Sequence, residues 1–205
     1  ALGFSVNGLA DRDKIMRKAG MQAGDVLILT KPLGTGTLFA ADMQQKAKGR
    51  WIAEALQSMV LSNRRAAECI HSHDATACTD ITGFGLLGHM VEMIRASRVD
   101  VDIELRELPI LDGAMETVRA GILSTLQPAN VRLRRAIANL EAAGSHERYP
   151  IIFDPQTSGG LLASVPDSRA AICLSELHGM GYPHAAVIGR VKPESNRLEP
   201  VTVLA

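Results

Sequence analysis

Aromatic side chains are scarce in these 205 residues, where one Trp, two Tyr and four Phe make up 3%. Charge of neither sign predominates, since Lys plus Arg and Asp plus Glu number 22 each. A base-stacking platform and a phosphate-neutralising surface are both missing, so nucleic acid is not an expected partner. No apolar run approaches the roughly 20 residues that span a bilayer, and no basic stretch precedes an apolar one near the start. Neither a membrane span nor an export signal is indicated, and a cytoplasmic protein is expected. Cysteine is sparse too. Cys69, Cys78 and Cys173 are odd in number and form no Cys-x-x-Cys pair, which suits reduced thiols better than a disulfide framework. An initiator Met is lacking, and residues 1–8 read as the tail of a strand entering a turn, so the natural protein is expected to extend upstream.

What is present, 46% hydrophobic and 21% charged residues, is a globular composition sufficient for one large or two small domains at about 100–200 residues each. The pattern centres on residues 77–89, Ala-Cys-Thr-Asp-Ile-Thr-Gly-Phe-Gly-Leu-Leu-Gly-His. A short strand over 75–79 runs into an acid, Asp80, and then a glycine turn at Gly83 and Gly85. Beyond it Leu86, Leu87, Met90, Val91, Met93 and Ile94 recur on one face of a helix. A helix opened this way aims unpaired N–H groups and the positive end of its dipole past the strand, a ready anion site with a carboxylate beside it.

Upstream, Val26 to Thr30 reads as a buried strand closed by the breakers of residues 31–36, Lys-Pro-Leu-Gly-Thr-Gly. Residues 52–70 carry helical periodicity, interrupted at Ser62-Asn63. Downstream, 99–108 alternates as a half-exposed strand, Asp112 is placed to cap a short helix through Val118, and a helix runs from Asn130 to Gly144. Residues 151–160, Ile-Ile-Phe-Asp-Pro-Gln-Thr-Ser-Gly-Gly, repeat the order of apolar strand, acid and glycine turn. A strand over 161–165, a helix capped by Asp167 or Ser168 and a strand over 186–191 make a strand-helix-strand unit, and a hairpin through 194–196 ends at Val203. If these strands share a sheet, the turns at Thr35-Gly36, Thr82 to Gly85 and Thr157 to Gly160 gather along one edge.

Three sharper readings compete with plainer ones. Gly83-Phe-Gly85-Leu-Leu-Gly88 fits the dinucleotide fingerprint, with Asp100 and Asp102 at about the 20-residue distance such sites use. Asp80 argues against it, because a carboxylate three residues before the first glycine repels a pyrophosphate unless a cation stands between them. The site therefore favours a metal–phosphate ligand. Gly34-Thr-Gly36-Thr37 lacks the Gly-Lys-Ser/Thr ending of a Walker loop and reads as a structural turn, with Lys31 a modest candidate for an anion partner. Cys69, His71, His73 and Cys78 offer four zinc-type groups within ten residues, but at a spacing foreign to the usual knuckles. Their side chains need not converge, and histidines at a helix C-terminus are explained by its carbonyls and dipole. His89, His178 and His184 have no partner visible in sequence.

Three segments taken in order, residues 29–36 (Leu-Thr-Lys-Pro-Leu-Gly-Thr-Gly), 79–89 (Thr-Asp-Ile-Thr-Gly-Phe-Gly-Leu-Leu-Gly-His) and 153–162 (Phe-Asp-Pro-Gln-Thr-Ser-Gly-Gly-Leu-Leu), closely resemble the C-terminal half of the selenophosphate synthetases (selenide, water dikinases). These belong to a superfamily with aminoimidazole ribonucleotide synthetase. The resemblance implies an α+β layered α/β sandwich with a mixed sheet, partly ferredoxin-like. It makes residues 1–22 the end of an N-terminal domain and linker, and 23–205 the C-terminal domain. The implied reaction converts ATP, selenide and water to selenophosphate, AMP and phosphate. The N-terminal catalytic domain, which would carry most ATP-binding acids and the reactive cysteine or selenocysteine with a lysine, is not among these residues. By the same resemblance Asp80 is a magnesium ligand, and the complete protein is a homodimer. Thr82, Gly83 and Gly85 are candidates for phosphate contact. For Thr157, Ser158 and Gly159, ligand contact and a turn kept for its backbone geometry both remain open. The chain by itself is expected to be inactive. Purine, thiamine or hydrogenase-maturation chemistry on the same scaffold, or a non-catalytic anion-binding module, are the alternatives.

Overall fold

In the computed structural model, which describes residues 5, 7–9, 11 and 15–204, the apolar runs become six strands. They are β1 (Val26–Leu29), β2 (Ala77–Asp80), β3 (Asp100–Glu104), β4 (Leu161–Val165), β5 (Ala186–Lys192) and β6 (Val201–Leu204). All lie in one sheet, ordered β2-β4-β1-β5-β3-β6. Neighbours are antiparallel except β3 and β6, which run parallel, so the sheet is mixed. Eight α-helices accompany it among the described residues: α1 (Thr35–Met43), α2 (Gly49–Val60), α3 (Arg64–Ser72), α4 (Gly85–Ser97), α5 (Ala114–Arg119), α6 (Gln127–Asn130), α7 (Leu140–Gly144) and α8 (Asp167–Gly179). This is the α+β layered class that the sequence predicts. Among the described residues no helix is long and apolar enough to cross a membrane.

The central strand shows why its sequence is an unbroken apolar run. Val26 and Ile28 point to one face, into a cluster with Ala66 and Ile70 of α3 and Cys173 and Leu177 of α8. Leu27 and Leu29 point to the other, among Leu86, Met90 and Ile94 of α4 and Phe153. A strand covered on both faces has no polar side to alternate with, and each such side chain contributes about 1.5–3 kcal/mol by leaving water.

Several elements differ from expectation. Ile151 to Phe153 is a 3-10 helix, Tyr149–Phe153, rather than a strand. A short apolar run has no periodicity to decide the matter, Pro150 suits a helix start and Pro155 stops it, and the turn buries all three residues. The terminal hairpin is absent as well. The loop after β5 passes over β3, and β6 lands parallel on its far edge, pairing Val101 with Val201. In place of the expected helix from Asn130 to Gly144, α6 ends at Asn130 and is followed by a 3-10 segment (Val131–Ala136) and then α7, with Ile137 between them bridging Val201. The strand over 99–108 stops at Glu104 and ends in a 3-10 turn. Helix α1 is an element that the glycines and threonines of residues 34–37 concealed. Neither Asp112 nor Asp167 nor Ser168 caps a helix: Gly113 and Pro166 hold those positions, and Asp167 pairs with Arg190 at 2.9 Å. The strand tail expected over 1–8 rests mostly on residues outside those described.

Candidate functional site

The three glycine turns do meet at one edge of the sheet, joined by hydrogen bonds. Thr30 N–H donates to the Leu161 carbonyl (3.0 Å), Ile81 N–H to Gly160 (2.9 Å) and Gln156 N–H to Thr82 (3.0 Å). The start of α1 is held by side chains from the Asp-Pro-Gln stretch. Gln156 Oε1 accepts from Gly34 N–H (3.0 Å), Thr35 N–H (3.2 Å) and the Thr35 hydroxyl (3.1 Å). Asp154 Oδ2 accepts from Gly36 N–H (3.1 Å) and from Gln156 Nε2 (2.9 Å). An added side chain at Gly36 would sit 2.5 Å from the Pro155 carbonyl and 2.6 Å from Asp154 Oδ1, so glycine there lets the two turns close on each other. Thr157 N–H in turn donates to the Thr35 hydroxyl at 3.0 Å.

Asp154 is fully buried, its Oδ1 has no hydrogen-bond partner, and burial pushes its carboxyl up to about 7 against the pull of its donors. Sequence reasoning quoted Asp154 and Gln156 as words of a motif without giving them a role. The signal that could have found them is a carboxylate and a carboxamide two residues apart ahead of a glycine pair.

Asp80 ends β2, an edge strand, opposite Leu161 of β4. It is exposed, and its carboxylate makes no hydrogen bond or ion pair with a described residue. Five residues on, α4 begins at Gly85 without a side-chain cap. Gly85 adopts φ 69°, and its α-carbon lies against the backbone of Phe153, where a β-carbon would come within 2.8 Å. Within this turn Thr82 N–H donates to His89 Nε2 at 3.1 Å, and Gly85 N–H donates to the Thr82 carbonyl. The N–H groups of Gly83 and Phe84 donate to no described residue. Gly83 is exposed with no atom close to its open side, and Phe84 stands 58% exposed next to it.

His89 turns out to be a buried support for the turn. Accepting from Thr82 fixes its Nε2 as the unprotonated nitrogen, and burial lowers its pKa while Asp80 and Glu92 oppose that shift. The available clue was a histidine in the second turn of the helix, close enough in sequence to reach back to the turn that precedes it.

The remaining candidates separate. Thr35, Gly36, Gly83, Gln156 and Thr157 line a cleft of about 310 Å³, rimmed by exposed Met43 and Leu126. Lys31 lines a different hollow of about 250 Å³, with Glu54, Tyr182 and His184. Its ammonium donates to the carbonyls of Leu61 (2.5 Å) and Ser158 (3.1 Å), and burial lowers its pKa. Ser158 is at φ 48°, and Gly159 is packed so tightly that a β-carbon would lie 2.2 Å from the Ile81 carbonyl. The cysteines have the wrong environment for a nucleophile. Burial pushes Cys78 and Cys173 up to about 12, and Cys69 up as well.

The chain is similar to known proteins. A selenide, water dikinase of Clostridioides difficile (strain 630) is 35% identical over 206 residues, which cover 98% of this chain and 58% of the relative. Selenide, water dikinase 2 of Peptoclostridium acidaminophilum is 38% identical over 192 residues, 92% of this chain and 54% of the relative. The chain thus spans a little over half the length of these curated relatives, and their names agree with the resemblance read from the motifs. Among solved structures, the hydrogenase maturation protein HypE in complex with ATP superposes with a TM-score of 0.60 at 19% identity, over 88% of this chain and 46% of that one. At that identity the likeness concerns the fold alone. Residues 22–199 match the family described as AIR synthase related protein, C-terminal domain, and the chain belongs to that family.

Proposed function

We propose that this chain is the C-terminal half of an ATP-dependent selenophosphate synthetase, converting ATP, selenide and water to selenophosphate, AMP and phosphate. The observation that carries the reading is that, close together in sequence at an uncapped helix start, the Asp80 carboxylate and the N–H groups of Gly83 and Phe84 have no hydrogen-bond partner among the described residues. An anionic ligand alone would be repelled by Asp80. A magnesium-bound phosphate would suit both, with Asp80 as a candidate to hold the ion and the Gly83 and Phe84 amides as candidates to hold phosphate oxygens. The residues fit magnesium in kind, since it takes one or two carboxylates and fills its other positions with phosphate oxygens and water. When bound, the ion would neutralise charge on the transferring phosphoryl group.

The chain's own part is positioning. His89 and the close packing of Gly85 on Phe153 hold the turn rigid, so the amides need no reorganisation when phosphate arrives. Thr82, whose hydroxyl lies 3.2 Å from His89 Nε2, stands at the same turn. Further ATP-binding acids and the reactive cysteine or selenocysteine would come from an upstream half, which we place against the cleft rimmed by Met43 and Leu126, with dimerisation through that half. Support comes from the relatives' names, the fraction of their length matched here, and the ATP held by the similarly folded HypE.

The test is Asp80→Ala in the complete enzyme. Because the side chain is exposed and pairs with no described residue, folding should be untouched, while magnesium-dependent turnover falls at least about a hundredfold. Unchanged turnover sinks the assignment and leaves a non-catalytic module. ATP-dependent selenophosphate formation by residues 1–205 alone would refute the need for a second half.

A further inference from the structure

On the face of the sheet opposite α4, α3 and α8 pack side by side and bring together four side chains that the proposed chemistry does not use. Cys69 and His73 stand one turn apart on α3 and its C-cap, and Cys173 and Glu176 one turn apart on α8, so each pair shares a face of its helix. The ligand atoms of Cys69, His73 and Cys173 all lie within 4.8 Å of one another, and all three residues are buried. Glu176 Oε2 completes the group, 3.0 Å from His73 Nε2 and 3.9 Å from Cys69 Sγ.

His73 is the second, independent sign of a ligand. It is 5% exposed, yet neither ring nitrogen has an aligned hydrogen-bond partner; the short approach of Nε2 to Glu176 is a charge contact without that alignment. A buried imidazole so placed costs free energy unless something accepts from it or binds to it. The cysteines make only long contacts, Cys69 Sγ to the Cys173 carbonyl at 3.8 Å and to Glu176 at 3.9 Å.

We propose that Cys69, His73, Cys173 and Glu176 form a structural zinc site that staples α3 to α8. Two sulfurs, one imidazole and one carboxylate are a tetrahedral donor set for a borderline-soft divalent ion, and a poor one for magnesium or calcium. With Zn–S near 2.3 Å, a tetrahedron sets its sulfurs about 3.8 Å apart, so the observed spread needs closure by about 1 Å, within reach of side-chain rotation. Glu176 is 45% exposed and gives the ion a path in from solvent. The set differs from the run Cys69, His71, His73, Cys78 that sequence spacing suggests: His71 is exposed, Cys78 is not in the cluster, and Cys173, 104 residues beyond Cys69, takes part.

The probe is cobalt, whose tetrahedral thiolate complexes absorb visibly where zinc is silent. The purified chain, kept reduced, is titrated with Co²⁺ and then with Zn²⁺. One Co²⁺ per chain should give a sulfur-to-cobalt charge-transfer band and intense visible bands, both erased by one equivalent of Zn²⁺, with a rise in Tm on zinc addition. Cys173→Ser should abolish the charge transfer from one thiolate and weaken binding at least about a hundredfold. Glu176→Ala, half exposed and outside the core, guards against a variant that does not fold: circular dichroism should be unchanged and affinity lower by about ten- to a hundredfold. Absence of the band in the reduced chain, the same band in Cys173→Ser, or unchanged affinity in Glu176→Ala would each overturn the site. So would a chain that takes up no metal and forms only a Cys69–Cys173 disulfide in air, seen as blocked alkylation by mass spectrometry.

Discussion

Replacing Asp154 by Asn removes one charge from a fully buried position and leaves its shape unchanged. Burial pushes the Asp154 carboxyl from 3.8 up to about 7, only partly countered by its hydrogen bonds to Gln156 and to the Gly36 and Thr37 backbone. Between about pH 4 and pH 7 the folded chain therefore keeps a proton that the unfolded chain has already lost. Stability falls wherever the folded state holds more protons, so Asp154 makes the wild type less stable as pH rises through this window, with no further change above about pH 7. Roughly three units at 1.36 kcal/mol each put the full effect at about 4 kcal/mol. Asp154→Asn carries no such slope, because its amide mimics the protonated acid. It should match the wild type near pH 4 and exceed it by up to about 4 kcal/mol at pH 8. The assay is urea unfolding followed by circular dichroism at each pH from 4 to 8, in which that gap is about 2 M in midpoint for a slope of about 2 kcal/mol/M. Subtracting variant from wild type cancels the other titrating groups. A flat difference, or a variant less stable at pH 8, refutes the reasoning and means that Asp154 is ionised and its charge is used by the start of α1.

Gln156→Ala strips the acceptor from Gly34 N–H, Thr35 N–H and the Thr35 hydroxyl at a position 4% exposed. At about 1–3 kcal/mol per buried unpaired group, with some repair by water, a loss of about 3 kcal/mol in chemical denaturation is expected; a loss below about 1 kcal/mol contradicts it. Gly159→Ala and Gly83→Ala separate packing from ligand contact. The first drives a methyl to 2.2 Å from the Ile81 carbonyl and should cost about 1–3 kcal/mol, whereas the second meets nothing within 4 Å and should leave Tm unchanged. In the complete enzyme Gly83→Ala should instead weaken ATP binding, measured calorimetrically, and equal Tm losses in the two variants would reject the distinction.

The strands and the face of α4 were legible because each has a local cause, a two-residue or 3.6-residue period carried by neighbouring side chains. The course of the chain after Lys192 was not, since nothing in Val201 to Leu204 tells β5 from β3 as its partner. The 3-10 turn at Ile151 to Phe153 escaped for a related reason, its burial being set by α4 and the neighbouring Tyr149 ring, 5.1 Å from Phe153 in an edge-on contact. Gln156 and Asp154 act on residues 121 and 118 positions away. No pattern within a window of sequence reports such a partner.

The same limit explains why three turns of like composition looked equivalent and are not. At α1 the amides of Gly34, Thr35 and Gly36 are already satisfied by Gln156 and Asp154. At residues 157–160 the Thr157 amide is taken by Thr35, Gly159 is closed over Ile81, and a side chain at Gly160 would strike Lys31 N at 2.6 Å. Those glycines are required by the packing of turn on turn. The turn after β2 differs in having its free donors, the Gly83 and Phe84 amides, on an exposed backbone three and four residues after an acid whose carboxylate pairs with no described residue. The first two turns are bonded to each other through Gln156 and Thr35 and to the third through the Ile81 amide and the Gly160 carbonyl, and in the function proposed above a ligand that brings both a cation and acceptor oxygens would complete the third.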